Sequence, residues 1–184
     1  MEEKSTFWKS AMVYGLYLAL VLTLFSVILY VSGLILNTTV GYISIVIMIA
    51  GIVIAQISYR NKELKGAITY GQALGFGVAI MLFAGIVSAL YTLILYTFID
   101  PALIDQMKAM QEEAMMQKGL SEDQIETAMS VASKMMSPAW LSIMGFVGSV
   151  FSGTIVSLLT SIFVKKEGNP DAFDEAMEEV KTEE

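Results

Sequence analysis

The sequence predicts an all-α membrane protein, with four transmembrane helices and an amphipathic helical hairpin between the third and fourth. Three observations predict it. Charge is excluded in blocks: the chain carries 11 basic and 18 acidic residues, and none lies in 11–59, 70–99 or 138–164. Hydrophobic residues make up 55% of the chain, and mean hydropathy is +0.65. A soluble domain is less apolar and scatters charge along every amphipathic helix. Each uncharged block also holds the ~20 residues per crossing that a helix needs to span a ~30 Å hydrocarbon core. Lipid forces every backbone group to pair within the segment or in a closed barrel. Barrel strands alternate polar and apolar residues, and these runs do not.

The first span, about 8–36, contains the run Ala11–Leu36, led in by Phe7 and Trp8. Trp8 and Lys9 suit an interfacial anchor. The 26-residue run is longer than the apolar region of ~7–15 residues in a cleaved signal peptide, so an uncleaved span is expected. "NTTVG" (Asn37–Gly41) is a short polar turn, and the second span, 40–59, follows at once as the other arm of an antiparallel pair. The third span, 70–99, has Tyr91, Tyr96 and Phe98 near its far end. The fourth, 138–164, has Trp140 just inside it and Lys165–Lys166 at its exit. Aromatic and basic residues at span ends match the interfacial belt. The expected organisation is a membrane domain over 1–166, with the helical loop 100–137 inside it, and an acidic tail over 167–184.

Basic residues set the expected direction. With the N-terminus cytoplasmic, eight Lys and Arg fall inside (in 1–10, 60–69 and 165–184) and three outside, Lys108, Lys118 and Lys134. The positive-inside rule then places both termini in the cytoplasm of a bacterial inner membrane and loop 100–137 on the far side.

The fourth span repeats small residues every four positions: Gly145, Ser149, Gly153, Ser157 and Ser161. They share one helical face, and small residues let helix backbones approach in lipid. Gly15, Ala19 and Thr23 echo the pattern in the first span, and Gly71, Gly75 and Ala79 in the third. Packing within one four-helix unit accounts for the stripe. Self-association into a homo-oligomer is a second reading, and a substrate path a third. The spans hold no ionisable acid or base and no internal proline, so they lack the signs of an ion-coupled transporter. Gln56 and Gln72, near span ends, are expected to reach headgroups or cap helices.

Loop 100–137 reads as two short helices. Asp100 is the expected N-cap, with Pro101 at the first helical position. Leu103, Met107, Met110 and Ala114 form one apolar face, and Gly119 is the expected stop. Ser121 and Gln124 fit a capping box, after which Ile125, Met129, Ala132 and Met136 form a second face. Seven of the chain's 13 methionines lie in this loop. Met107, Met110, Met129 and Met136 are candidates to face a partner, because flexible thioethers adapt to partner surfaces. Copper(I) is a sharper alternative, since Met107, Met110, Met115, Met116, Met129, Met135 and Met136 offer the soft ligands it favours. The tail repeats a cap and proline at Asn169 and Pro170, with Phe173, Met177 and Val180 along one edge.

Cysteine and histidine are absent. Disulfides, Cys/His zinc sites, histidine bases and cysteine nucleophiles are therefore excluded. No cofactor is expected and no enzymatic activity. The net charge of −7 argues against nucleic acid. The expected partners are the lipid bilayer and another envelope protein, met through loop 100–137 or the acidic tail.

"TYGQALGFG" (Thr69–Gly77), "YTFIDP" (Tyr96–Pro101), "KGLSEDQIETAM" (Lys118–Met129) and "MMSP" (Met135–Pro138) together resemble a bacterial family of small four-span membrane proteins of unknown function. The resemblance runs from about Phe7 to Lys166. It implies an integral inner-membrane protein and supplies no activity, ligand or catalytic residue. The expected role is a non-enzymatic membrane scaffold or accessory subunit. The alternative is an accessory or oligomeric component of a transporter or channel.

Overall fold

A computed structural model describes residues 2–166, with side chains from Thr6 onward. These residues form α1 (Glu2–Val31), α2 (Thr38–Lys62), α3 (Tyr70–Ile94), α4 (Ala102–Gln117), α5 (Glu122–Met135) and α6 (Pro138–Val164), with one π-helical turn, Leu95–Ile99, extending α3. The reading of Asn169, Pro170, Phe173, Met177 and Val180, and of the whole tail 167–184, lies outside the described residues. Four segments are long and apolar enough to cross a bilayer: Thr6–Val31, Thr38–Lys62, Tyr70–Ile99 and Pro138–Val164. Their outward faces carry large bare hydrophobics such as Val31, Phe98 and Phe163, 79%, 78% and 86% exposed. That surface is costly in water and ordinary in lipid. The chain is a multi-pass membrane protein.

Local chemistry explains where the elements stop. The first helix ends at Val31, five residues before the expected limit of Leu36. Gly33 adopts φ +70°, its N–H donates to Tyr30 O at 3.0 Å, and Leu34 N donates to Leu29 O at 2.8 Å. This paired closure satisfies the last carbonyls at a glycine in the left-handed region. Hydropathy continues through Leu36, but the helix does not. The second helix begins at Thr38, earlier than expected, because Asn37 Oδ1 accepts from Val40 N at 3.1 Å. It runs on to Lys62.

The expected cap of α4 is displaced. Pro101 occupies the N-cap position and makes no side-chain cap bond. Asp100 is the C-cap of the π turn and not the N-cap of α4: its N–H closes the turn onto Leu95 O at 2.8 Å, and the Tyr30 hydroxyl is turned toward its carboxylate. The Ser121–Gln124 box does form. Gln124 Oε1 accepts from Ser121 N at 3.0 Å, and the Ser121 side chain faces the Gln124 N–H.

Helix α3 is the hub. It packs most extensively on α6 and then on α1, while α2 lies against α6 and α1. The spans therefore run in the order α1, α3, α6, α2 around the bundle. Successive spans cross in opposite directions, so α1 and α3 are parallel, as are α2 and α6. One end of the bundle carries α1's start, the α2–α3 loop and the end of α6. The other carries the α1–α2 turn and the α4–α5 hairpin. We call these the terminal end and the hairpin end.

Candidate functional site

The terminal half is built from close approaches. A Cβ added at Gly15 would lie 2.8 Å from Ile80 O and 2.7 Å from Phe83 Cβ, and one at Gly51 would lie 2.6 Å from Leu18 Cδ1. A Cβ at Gly153 would press into Met81, and one at Gly77 into Ser157. These glycines set how near α1, α2 and α6 come to their neighbours. Phe76 fills the centre. It stacks on Tyr59 with ring centroids 3.9 Å apart and meets Phe7 and Tyr14 edge-on at 5.7 and 6.1 Å.

Gln56 does not reach headgroups, contrary to expectation. It is fully buried, and its Nε2 donates to Ala73 O at 2.9 Å and to Ser161 Oγ at 3.3 Å. The amide thus joins α2, α3 and α6. A partly buried amide would exchange with water at the span end, but the small residues of α3 and α6 close over this one. Gln72 does cap: its Oε1 accepts from Thr69 N at 3.0 Å at the start of α3. Nearer the terminal end, Arg60 Nη1 donates to Val164 O at 2.9 Å, meeting the last carbonyls of α6. A bridge between Ile68 and Lys166 closes the end, with N–H···O distances of 2.8 and 3.0 Å.

The hairpin half is open. Between the four spans lies a cleft of about 430 Å³. Leu22, Phe25, Met48 and Met81 supply its apolar surface, and Ser26, Ser44, Ser88, Ser149 and Ser152 its hydroxyls. A second lobe of about 270 Å³ lies between α1 and α3 and is richer in hydroxyls, from Thr23, Ser26, Ser88, Tyr91, Thr92 and Tyr96. Leu22, Ser26, Ile35 and Ser88 line both lobes. At the mouth, a pocket of about 380 Å³ is lined by Tyr30, Ile35, Asp100, Gln106 and Met110 among others. Ile35 borders all three spaces, because the early end of α1 turns the chain inward there. Ser44 and Ser149 donate to backbone carbonyls, at 2.6 and 2.8 Å. Thr23 Oγ1 is buried and has no partner among the described residues.

Beyond the mouth, α4 and α5 form the hairpin. Gly119, at φ +78°, closes α4, and Leu120 N donates back to Met115 O at 3.3 Å. The groove between the helices holds about 780 Å³, with Met116, Leu120, Ile125 and Met129 along it and Glu112, Glu122 and Glu126 at its edges. Of the first expected face, Leu103 is buried, Met107 half-buried, and Met110 and Ala114 exposed. Of the second, Ile125 is buried, and Met129, Ala132 and Met136 are half-buried.

A family model described as "Protein of unknown function (DUF4199)" matches residues 13–166. The chain belongs to the DUF4199 family. The match contains every motif that carries the resemblance described above, from Thr69–Gly77 to Met135–Pro138. No curated protein and no solved structure matches the chain.

In this DUF4199 member the small-residue stripe of α6 divides. Gly153, Ser157 and Ser161 are buried and Ser149 half-buried, whereas Gly145 is exposed with open space around it. Of the four loop methionines singled out, Met110 borders the mouth and Met129 the hairpin groove. Met107 and Met136 border neither space. Sequence reasoning missed the cleft. Its signal was there: Thr23 and Ser26 at i, i+3, and Ser88 and Thr92 at i, i+4, place hydroxyls on one face of each span.

Proposed function

We propose that the chain is a non-enzymatic subunit of the bacterial inner membrane that docks another envelope component through its hairpin. Both termini lie in the cytoplasm in this reading, in keeping with the basic residues of 1–10, 60–69 and 165–166. The groove between α4 and α5 carries the reading. Its apolar length and acidic edges suit an amphipathic segment bearing basic residues. A photocrosslinking residue at Met129 in intact cells tests it. The expected result is one discrete adduct, lost in Glu122→Lys/Glu126→Lys and absent when the probe replaces lipid-facing Phe151. An adduct of twice the chain mass would indicate a homo-oligomer, and no adduct would remove the support for docking.

A second reading is an accessory or oligomeric part of a transporter or channel. The hydroxyl-lined cleft favours it, as half of a polar route. Solute flux in proteoliposomes above that in empty ones is its test. Copper(I) capture would draw on Met116 and Met129, which face one groove. Titration of the full chain against Met116→Leu/Met129→Leu decides it.

A further inference from the structure

We propose that the cleft at the hairpin end is a specific lipid site, and that it takes a zwitterionic lipid with a primary ammonium head. The inference is independent of the docking role proposed for the hairpin. It starts from Thr23 Oγ1, a buried hydroxyl with no partner among the described residues. A buried polar group left unpaired is costly, so such groups are normally matched by protein, water or ligand.

The distribution of polarity fits one molecule of the hairpin-side leaflet. Met48 and Met81 border the cleft at its apolar inner part, and Thr92 and Tyr96 border the hydroxyl-rich lobe. Residues 81 and 96 lie about 22 Å apart along α3, at ~1.5 Å per residue. Half of a bilayer ~40–45 Å thick, headgroups included, has the same depth. An acyl chain reaching Met81 therefore passes Ser88, about 10 Å along α3, and brings its ester and phosphate oxygens to the part of the lobe lined by Thr23, Thr92 and Tyr96, whose hydroxyls can donate to them.

Charge selects the head. Among the described residues no Lys or Arg lines either lobe or the mouth, so none of them balances a net anionic head there. Asp100 lines the mouth and is half-buried. Among the described residues the one ion pair is Lys108–Asp105, so Asp100 has no cationic side chain beside it. A primary ammonium supplies that charge and donates hydrogen bonds to the carboxylate. A quaternary ammonium supplies the charge without the donors.

The test uses the full chain purified in a maltoside detergent. Dioleoyl phosphatidylethanolamine, phosphatidylcholine and phosphatidylglycerol are added separately, and bound lipid is counted by native mass spectrometry. Retention is expected to fall in that order. Thr23→Val should lower phosphatidylethanolamine retention about five-fold, the worth of one hydrogen bond of ~1 kcal/mol. Asp100→Asn, outside the spans, should erase the preference over phosphatidylglycerol while far-UV helicity stays unchanged. Ser88→Leu fills the cleft and should abolish the adduct. Equal retention of the three lipids by the wild type would mean annular lipid only and would overturn the proposal. So would a phosphatidylethanolamine adduct that survives both Ser88→Leu and Asp100→Asn.

Discussion

Two neighbouring glycines of α3 allow the helix-packing argument to be tested with its own control. Gly77 faces α6 and α2. An alanine Cβ there would lie 2.9 Å from Ser157 Cβ and 2.9 Å from Gln56 Nε2, and closer still to Ser157 Oγ. Rotating Ser157 moves its hydroxyl but leaves its Cβ in place, so relief requires α3 and α6 to part by about half an ångström. Overpacking of this kind costs ~1–3 kcal/mol. Gly75, two residues away, is exposed and has nothing within 4 Å of its added Cβ. Both substitutions gain the same helix propensity, ~1 kcal/mol, so it cancels between them. Gly77→Ala should therefore be ~1–3 kcal/mol less stable than Gly75→Ala. For a chain of this size that is ~2–4 °C in Tm per kcal/mol. Reversible unfolding in mixed detergent–SDS micelles, followed by far-UV circular dichroism, measures the difference. Gly77→Ala equal to or more stable than Gly75→Ala would refute the claim that this glycine sets the α3–α6 distance.

Three further outcomes follow from other parts of the bundle. Gln56→Leu should stay within ~1 kcal/mol of wild type in the same assay. The two hydrogen bonds it removes average ~0.6 kcal/mol each in membrane proteins, and it also removes Gln56 Oε1, which is buried and has no partner among the described residues. A loss above ~2 kcal/mol would show that this offset is wrong. Asn37→Ala should cost ~1 kcal/mol and Asn37→Gly only a few tenths, because the N-cap bond to Val40 is lost but glycine tolerates the position. The chain has no cysteine, so Glu112→Cys and Lys62→Cys are clean probes of direction. With an impermeant maleimide on intact cells, only Glu112→Cys should react, and the reverse pattern would exchange the two sides.

The membrane architecture was legible because lipid acts on long stretches of residues at once. Twenty or more uncharged positions leave few alternatives, and the four spans appear where charge is missing. The boundaries were less legible because single residues decide them. Gly33 ends α1 while Leu34, Ile35 and Leu36 remain apolar, and Asn37 starts α2 before the hydropathy rises. Gln56 was misread because its partners, Ala73 and Ser161, lie 17 and 105 residues away. No local pattern shows that three helices converge on it. The cleft was hidden for a related reason. Thr23 continues the spacing of Gly15 and Ala19, so it reads as another packing residue. Gly15 does meet α3 and Ala19 is buried, but Thr23 borders the lobe between α1 and α3. A periodic stripe records which way residues face, not how far away the facing helix lies.

The wide turn at Leu95–Ile99 amounts to one extra residue wound into the end of α3. Five residues fill this turn where an α-helix closes a turn with about four, and the Asp100 N–H still reaches Leu95 O. The extra residue is taken up inside the turn, so Asp100 leaves it at nearly the azimuth of an uninterrupted α-helix that is one residue shorter. Deleting one residue there would turn the same N–H···O pair into an ordinary α-helical one and leave the contacts of Tyr70–Ile94 with α1 and α6 intact. The root of the hairpin would keep its direction, so the chain can lose a single codon at this point without turning the hairpin away from the bundle.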